Sequence, residues 1–368
     1  MGSTNQDNQN KILNPPRQGS NFVTGSNLGI SDKATIPIVA PNYVQQYLLP
    51  TSEELKQKIY SSRDKIFNAL HQNVHEDYVQ PMIIIAGPSF ISNIDQAKKC
   101  GQWIQQLKQD KSCLLTMRVN LKSYNEKYAE IGEKDLPSIM TFDISQGIPE
   151  CRELLHELAQ KVPLVGDVCD LITPQFFHDL FSLGLLSSTL VESQLHREMI
   201  SACSFAVGIQ TNDSYLDFDK NFYSYKINSS LDAMYASSQP HQFLNITKAG
   251  LVAVVGTTGN PDTFVILEIN HEITIDDLNQ YFTQVYKYEK HNNNIPKIML
   301  DLGKLTNDNY QHKLDVISHL FNNNTIAKKI NGFLIDSGND YDQENDILIN
   351  TKKMIDQLAI LSAKRISS

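Results

Sequence analysis

The sequence predicts an α/β fold, a (β/α)8 TIM barrel with an N-terminal extension, on three observations. Short apolar, β-branched segments recur eight times after residue 80. Amphipathic stretches with apolar residues three and four apart separate them. No G-x-G-x-x-G follows the first apolar segment, which places a doubly wound open sheet second.

The elements follow in order. Residues 1–38 are polar, rich in Asn, Gln, Ser and Gly, and carry Pro15 and Pro16 side by side. Without periodicity they read as a flexible or partner-dependent arm. Residues 39–79 form the extension, with a pre-barrel helix over 55–71. The barrel takes 80–368. Its strands are predicted at 82–86, 113–119, 163–168, 185–190, 205–210, 263–268, 297–302 and 330–336. Helices are predicted at 95–109, 148–161, 174–183, 191–203, 274–288, 307–323 and 350–363. The first places Ala97, Cys100, Ile104 and Leu107 on one face. A ninth apolar run, 251–256, is followed by a Gly-Asn-Pro-Asp turn and predicts a hairpin into 263–268.

Composition narrows the function. The chain has 368 residues, 41% of them hydrophobic, which suffices for a large core. A formal net charge of −9 argues against a dedicated nucleic-acid binder, which needs a basic face. The apolar runs Met82–Ala86, Leu251–Val255 and Phe264–Leu267 are far shorter than the roughly 18–20 residues of a membrane span. The first residues lack the apolar core of a signal peptide. The 5 cysteines form no C-x-x-C pair. A reduced, cytoplasmic protein without structural zinc, membrane or nucleic-acid partner is expected.

Barrel chemistry sits where the strands end at their C-terminal side. The residues there are Ser89, Arg118 to Asn125, Asp167, Thr189, Gln210, Glu268, Lys304 and Asp336. They include no His or Cys. Asp167, Glu268 and Asp336 could offer oxygens to Mg²⁺. Pairing of Lys304 with Glu268 or Asp336 across the mouth is favoured, because ion pairs are far commoner than metal sites.

Several blocks carry a family resemblance. They are Gly87-Pro88, Met117-Arg118-Val119, Gly166-Asp167, Ile172-Thr173-Pro174-Gln175 and Glu192-Ser193-Gln194-x-His196-Arg197-Glu198. Val207-Gly208, Pro240-His241, Thr247-Lys248-x-Gly250 and Gly259-Asn260-x-Asp262 add to them. In this order, from about Tyr43 to Leu361, the chain resembles the class I 3-deoxy-D-arabino-heptulosonate 7-phosphate (DAHP) synthases of fungi and bacteria. These condense phosphoenolpyruvate with erythrose 4-phosphate on the way to aromatic amino acids. The resemblance implies a (β/α)8 barrel, a divalent metal (Mn, Fe, Co or Zn), a homo-oligomer and feedback control by an aromatic amino acid.

The departures from that pattern concentrate at the mouth. Ser89 stands where the family's metal-binding Cys would be, and Lys304 where its metal-binding His would be. The other two metal positions fall on Asp336 and Asp356. A protonated lysine offers no lone pair and repels a cation. No tightly bound cofactor is therefore expected, and at most a weak Mg²⁺ or Mn²⁺ response. Among the substrate-binding positions Arg118 is kept. Ser123, Asn125, Thr189 and Gln210 replace cations, and Glu268 replaces an arginine with an anion. Arg118, Lys304 and Glu268 remain as the candidate catalytic groups.

The resulting expectation is a degenerate DAHP synthase-like protein with a regulatory or oligomer-partner role. It would form a homo-oligomer, a dimer in the first instance, and co-assemble with an active paralogue. The segment Tyr43 to His71 and the Leu195, Met199, Ala202 face of the 191–203 helix would carry the association. The alternatives are an active synthase with relocated ligands and a repurposed barrel using Lys304 as an amine nucleophile beside Glu268. His196, Arg197, His241 and Lys248 read as scaffold, Trp103 as half-buried, and Cys169 and Cys203 as core.

Overall fold

The computed structural model describes residues 38–71, 80–107, 112–121, 144–211, 219–270, 272–291 and 297–367. The predicted arm, save residue 38, and the positions Ser123 and Asn125 lie outside them. Ala40–Ser368 forms one compact unit, and it contains every element below.

Eight parallel strands close into a barrel in the order β1-β10-β9-β8-β5-β4-β3-β2. They are β1 (Met82–Gly87), β2 (Cys113–Arg118), β3 (Leu164–Asp167), β4 (Phe181–Leu186), β5 (Val207–Gln210), β8 (Thr263–Glu268), β9 (Ile298–Lys304) and β10 (Ile330–Asp336). Outside the wall stands an antiparallel hairpin of β6 (Gln242–Ile246) and β7 (Val252–Gly256). The helices are α1 (Pro41–Tyr43), α2 (Glu53–Leu70), α3 (Ile94–Leu107), α4 (Ile144–Lys161), α5 (Gln194–Ser201), α6 (Lys220–Ser237), α7 (Ile275–His291), α8 (Tyr310–Asn322), α9 (Asn324–Ala327) and α10 (Asp346–Ser367). No helix among the described residues is long and apolar enough to cross a membrane.

Two apolar layers hold the barrel. Ile83, Ile85, Val165, Leu183, Phe264, Ile266, Met299 and Leu334 point inward, and Ile66, Ala69 and Leu70 of α2 join them. The pre-barrel helix therefore stoppers the end of the barrel at which the strands begin. Ser52 caps it, its Oγ accepting the Leu55 N–H at 3.2 Å. The outer faces of the strands meet the helices in a larger cluster. Wall spacing is tight at Gly332, where a Cβ would lie 2.0 Å from the Ile83 carbonyl oxygen.

A buried ionic node ties the extension to this wall. Arg152 of α4, its side chain 0% exposed, donates from Nη1 and Nη2 to the two carboxylate oxygens of Asp179 at 2.9 and 2.8 Å. Its remaining donors reach the carbonyls of Phe176 and Leu49 and the hydroxyl of Thr51. Thr51 and Gln45 also donate to Asp179.

Three expectations need correction. The fourth strand is Phe181–Leu186, not 185–190, and no helix covers 174–183. Two 3-10 turns, Thr173–Phe176 and His178–Leu180, take its place. Phe176, Phe177 and Leu180 are buried as their spacing requires. They ride, however, on three-residue steps such as Phe177 N–H to Pro174 O and Leu180 N–H to Phe177 O. Second, residues 252–256 pair with β6 rather than with β8. Both edges of β8 are taken by β5 and β9, which leaves no edge for a hairpin partner. Third, α6 has no predicted counterpart. Its serines hide the burial: Ser229, Ser230 and Ser237 are buried. Ser230 and Ser237 return their hydroxyls to helix carbonyls at 2.9 and 2.7 Å.

Candidate active site at the barrel mouth

The strand ends converge on two groups of charge. The first surrounds Arg118, the last residue of β2 and 5% exposed. Its Nε donates to Pro88 O at 2.6 Å and its Nη2 to Gly87 O at 3.3 Å. Nη2 also lies 3.7 Å from Asp336 Oδ2. The other oxygen of Asp336 accepts the Gly338 N–H at 2.9 Å. The close approach depends on Gly87, with φ +138° and room for only 2.8 Å between a Cβ and the Arg118 carbonyl. Ser89, two residues on, is partly exposed.

The second group joins β8, β9 and α8. Glu268 ends β8 directly beside Asp301 of β9. Burial, then the Asp301 charge, pushes the Glu268 carboxyl up to about 7, with Lys313 opposing. Burial also raises Asp301, against the pull of Arg118, the Gly303 N–H at 2.7 Å and Lys313. Lys313 is 7% exposed, and burial lowers its pKa. Its Nζ donates to Leu302 O, and more weakly to Lys304 O at 3.5 Å. Behind Glu268, the Tyr223 hydroxyl accepts the Glu268 N–H at 2.7 Å and meets Thr211 Oγ1 at 2.9 Å.

The cation that faces these carboxylates is therefore Lys313, not Lys304. Lys304 is exposed, and the expected pair with Glu268 or Asp336 is not formed. Gly303 takes φ +54°, a left-handed corner that β-branched or bulky residues resist, and the β9–β10 register shifts there, so that Lys304 comes opposite Asp336 with its side chain exposed and unpaired with that carboxylate. Sequence reasoning passed over Lys313 because lysine belongs on the wet face of a helix. Its signal was positional: Lys313, Val316, Ile317 and Leu320 form one buried stripe of α8.

Of the other predicted positions, Gln210 ends β5 and Asp167 ends β3, the latter buried. Thr189 is exposed and shares a 3.0 Å hydrogen bond with Ser187. Asp356 lies on α10, ten residues past Asp346 and so about 15 Å along the helix from its start. Its charge acts on Tyr310 of α8. Asp336 ends β10 and Asp356 lies in the middle of α10, and no group of three ligand side chains among the described residues joins them. The scaffold readings match the contacts: His196 bridges Ser193 and Cys169 O, and Arg197 donates to Val191 O. His241 contacts Ala236 O and Lys248 donates to Gln175 O. Trp103 is partly buried against Tyr341; Cys169 and Cys203 are partly buried rather than core.

The donor set does not suit a transition metal. Ser89 offers a neutral hydroxyl and Lys304 an exposed ammonium. One oxygen of Asp336 is taken by a backbone amide, and Asp356 lies on the outer helix. No group of three His, Cys, Asp or Glu side chains is placed to hold a metal among the described residues. A site without nitrogen or sulfur donors has lost the ligands that favour such ions.

Comparison with known proteins fits this barrel. Residues 67–359 match the family model described as the DAHP synthetase I family. The phospho-2-dehydro-3-deoxyheptonate aldolase AMT16 of Alternaria alternata is 32% identical over 294 residues, covering 77% of this chain and 73% of that protein. A tyrosine-inhibited aldolase of the same name from Schizosaccharomyces pombe is 34% identical over 275 residues, or 72% and 68%. The solved phospho-2-dehydro-3-deoxyheptonate aldolase of Francisella tularensis SCHU S4 superposes with a TM-score of 0.71 at 22% identity. It covers 90% of this chain and 99% of its own, and at that identity it shows the fold alone.

Proposed function

Because this chain belongs to the DAHP synthetase I family, we propose that it is a catalytically silent member of aromatic amino acid biosynthesis, acting in the cytoplasm through association rather than turnover. The observation that supports this most is the acidic pair of Glu268 and Asp301 on adjacent strands of the mouth. The family's substrates are both phosphorylated anions; Glu268, whose carboxyl titrates at about 7, offers no cation where a phosphate oxygen would bind and repels it increasingly as pH rises. Arg118 adds to the case. Its Nε and Nη2 are already bonded to carbonyls and drawn to Asp336, so less of its donor capacity remains for a phosphate. The Lys304 nucleophile reading loses its partner, since Lys304 is exposed and Lys313 holds the place beside Glu268.

Two measurements test the reading together. Purified protein given phosphoenolpyruvate, erythrose 4-phosphate and Mn²⁺ is expected to release no phosphate above background. Elemental analysis is expected to find Mn, Fe, Co and Zn well below one equivalent per chain. Robust metal-dependent turnover would sink the proposal and leave a working synthase with relocated ligands.

Association is the output a retained barrel can still supply. The outer face of the β6–β7 hairpin exposes Leu244 (67%), Leu251 (67%), Val252 (76%) and Val254 (66%). The Asn42 N–H donates to Lys248 O in the turn of this hairpin, and the segment that follows exposes Tyr43, Tyr47 and Leu48 as well. Contiguous apolar surface of this kind marks an interface. Light scattering is expected to give a dimer of the 41.6 kDa chain. The double substitution Val252→Lys, Val254→Lys should convert it to monomer with the barrel intact. Where the cell holds an active paralogue, the same face is the expected site of co-assembly. A wild-type monomer at micromolar concentration that co-purifies with no synthase would remove the support for this role.

A further inference from the structure

A cleft of about 540 Å³ opens at the end of the barrel opposite the mouth. Its floor includes Leu164, the first residue of β3, with Leu180 and Ser182, which flank the first residue of β4. One wall is α2 and the other is the last turn of α4. Every lining residue lies well away from Arg118, Glu268 and Asp336 along the strands.

The chemistry of the cleft is that of an anion site with an apolar base. Lys58 and Lys65 are two helical turns apart on α2, so both ammonium groups project from the same face. Lys161 approaches from α4. Lys58 is paired with Glu54 at 2.8 Å and Lys161 with Glu157 at 2.8 Å. Glu157 also serves Lys98. Lys65 has no ion-pair partner among the described residues. Glu54 is the one carboxylate in the lining and Glu157 stands behind Lys161, so Lys65 is the ammonium group of the cleft left to meet a ligand.

A second, independent observation comes from the floor. Ser182 is 1% exposed, and its Oγ has no hydrogen-bond partner. A buried hydroxyl left unpaired costs stability, and such a group is commonly kept where something else completes it. Neighbouring hydroxyls do not share the fault: Ser62, for example, donates to Lys58 O at 2.9 Å.

We infer that this cleft binds a small organic anion, a phosphate or carboxylate carried on a compact hydrocarbon body. The charge would lie among Lys58, Lys65 and Lys161. The Ser182 hydroxyl would donate to one ligand oxygen, and the hydrocarbon would cover Val162, Leu164 and Leu180. Lysines suit this role as point charges that do not demand the planar geometry an arginine fork imposes. The site is separate from the mouth, so its occupancy does not depend on whether the barrel retains catalysis.

The test uses phenyl phosphate, benzoate and benzylammonium as probes on the full chain, by calorimetric titration and hydrogen exchange. Both anions are expected to bind and benzylammonium is not. Binding should slow exchange in segments 54–65 and 159–164. Lys65→Glu, an exposed substitution on α2, is expected to weaken phenyl phosphate by about tenfold or more. Ser182→Ala should weaken it less while leaving the melting temperature unchanged or raised, because it removes the unpaired hydroxyl. A merely structural serine would lower the melting temperature instead. Failure of both anions to bind, equal binding by Lys65→Glu, or protection confined to the β8 and β9 ends of the mouth would each overturn the inference.

Discussion

Replacing Arg152 with alanine is expected to lower the stability of the barrel by about 3–5 kcal/mol, the cost of breaking a buried ion pair from one side. Its side chain is 0% exposed and it bonds both oxygens of Asp179 together with two carbonyls and the Thr51 hydroxyl. Alanine would leave all of these acceptors to be satisfied otherwise. Asp179 keeps Gln45 and Thr51 as donors, and its side chain is 34% exposed, which places the effect at the lower end of the range. The pH dependence has a definite sign. Burial alone would raise the Asp179 carboxyl, but the hydrogen bonds and charge of Arg152, with Thr51, outweigh it and hold the pKa below its usual value. A depressed carboxylate contributes stability above the unfolded value of 3.8, and that contribution is lost as pH falls through the folded value. Urea unfolding should therefore show a large gap between wild type and Arg152→Ala at neutral pH, narrowing in acid. A gap unchanged by acid would mean that packing, not the ion pair, carries the effect.

Glu268→Gln is expected to act in the opposite direction and stabilise the protein above neutral pH. The Glu268 carboxyl titrates at about 7 rather than 4.5, so the folded chain holds a proton that the unfolded chain has released between these values. Wild-type stability should accordingly be greatest below 4.5 on this account and fall as pH rises through about 7. Glutamine fills the same volume without a charge to desolvate. At pH 8 the gain should approach about 3 kcal/mol, less whatever Lys313 loses with its anionic neighbour. Thermal unfolding of both proteins across this range measures it. A destabilised Glu268→Gln at high pH would show that the Glu268–Lys313 attraction exceeds the cost of burying the carboxylate.

The barrel was legible because its strands announce themselves. Met82–Ala86 and Ile330–Asp336 are apolar on both faces, as strands clothed by helices on one side and by a packed interior on the other must be. Legibility failed where side-chain type misstates burial. Phe181–Leu186 lost its first residues to a helical reading because Phe176, Phe177 and Leu180 repeat at helical spacing through 3-10 turns. The serines of α6 look wet and are buried. β7 is legible as an apolar run but its partner β6 is not: in Gln242-Phe243-Leu244-Asn245-Ile246 the faces alternate while residue types do not, since Leu244 is exposed and Asn245 buried. At the mouth, motif position identified Ser89, Arg118, Glu268, Lys304 and Asp336 as residues of interest. It could not give burial, because Lys304 follows a left-handed turn at Gly303 and Lys313 lies in the buried stripe of α8.

That corner also links side chains on two different elements. Lys313 grips the carbonyls of Leu302 and Lys304 and so clamps both ends of the Gly303 turn. Residue 304 stands opposite Asp336 in the β9–β10 register, so its placement at the mouth depends on the turn that Lys313 holds. Releasing the clamp, by Lys313→Leu, would leave Asp301 and Glu268 without their shared cation. The left-handed glycine therefore couples a strand-end residue to a helix residue nine positions later: a substitution at Lys313 is felt first by the backbone that carries residue 304.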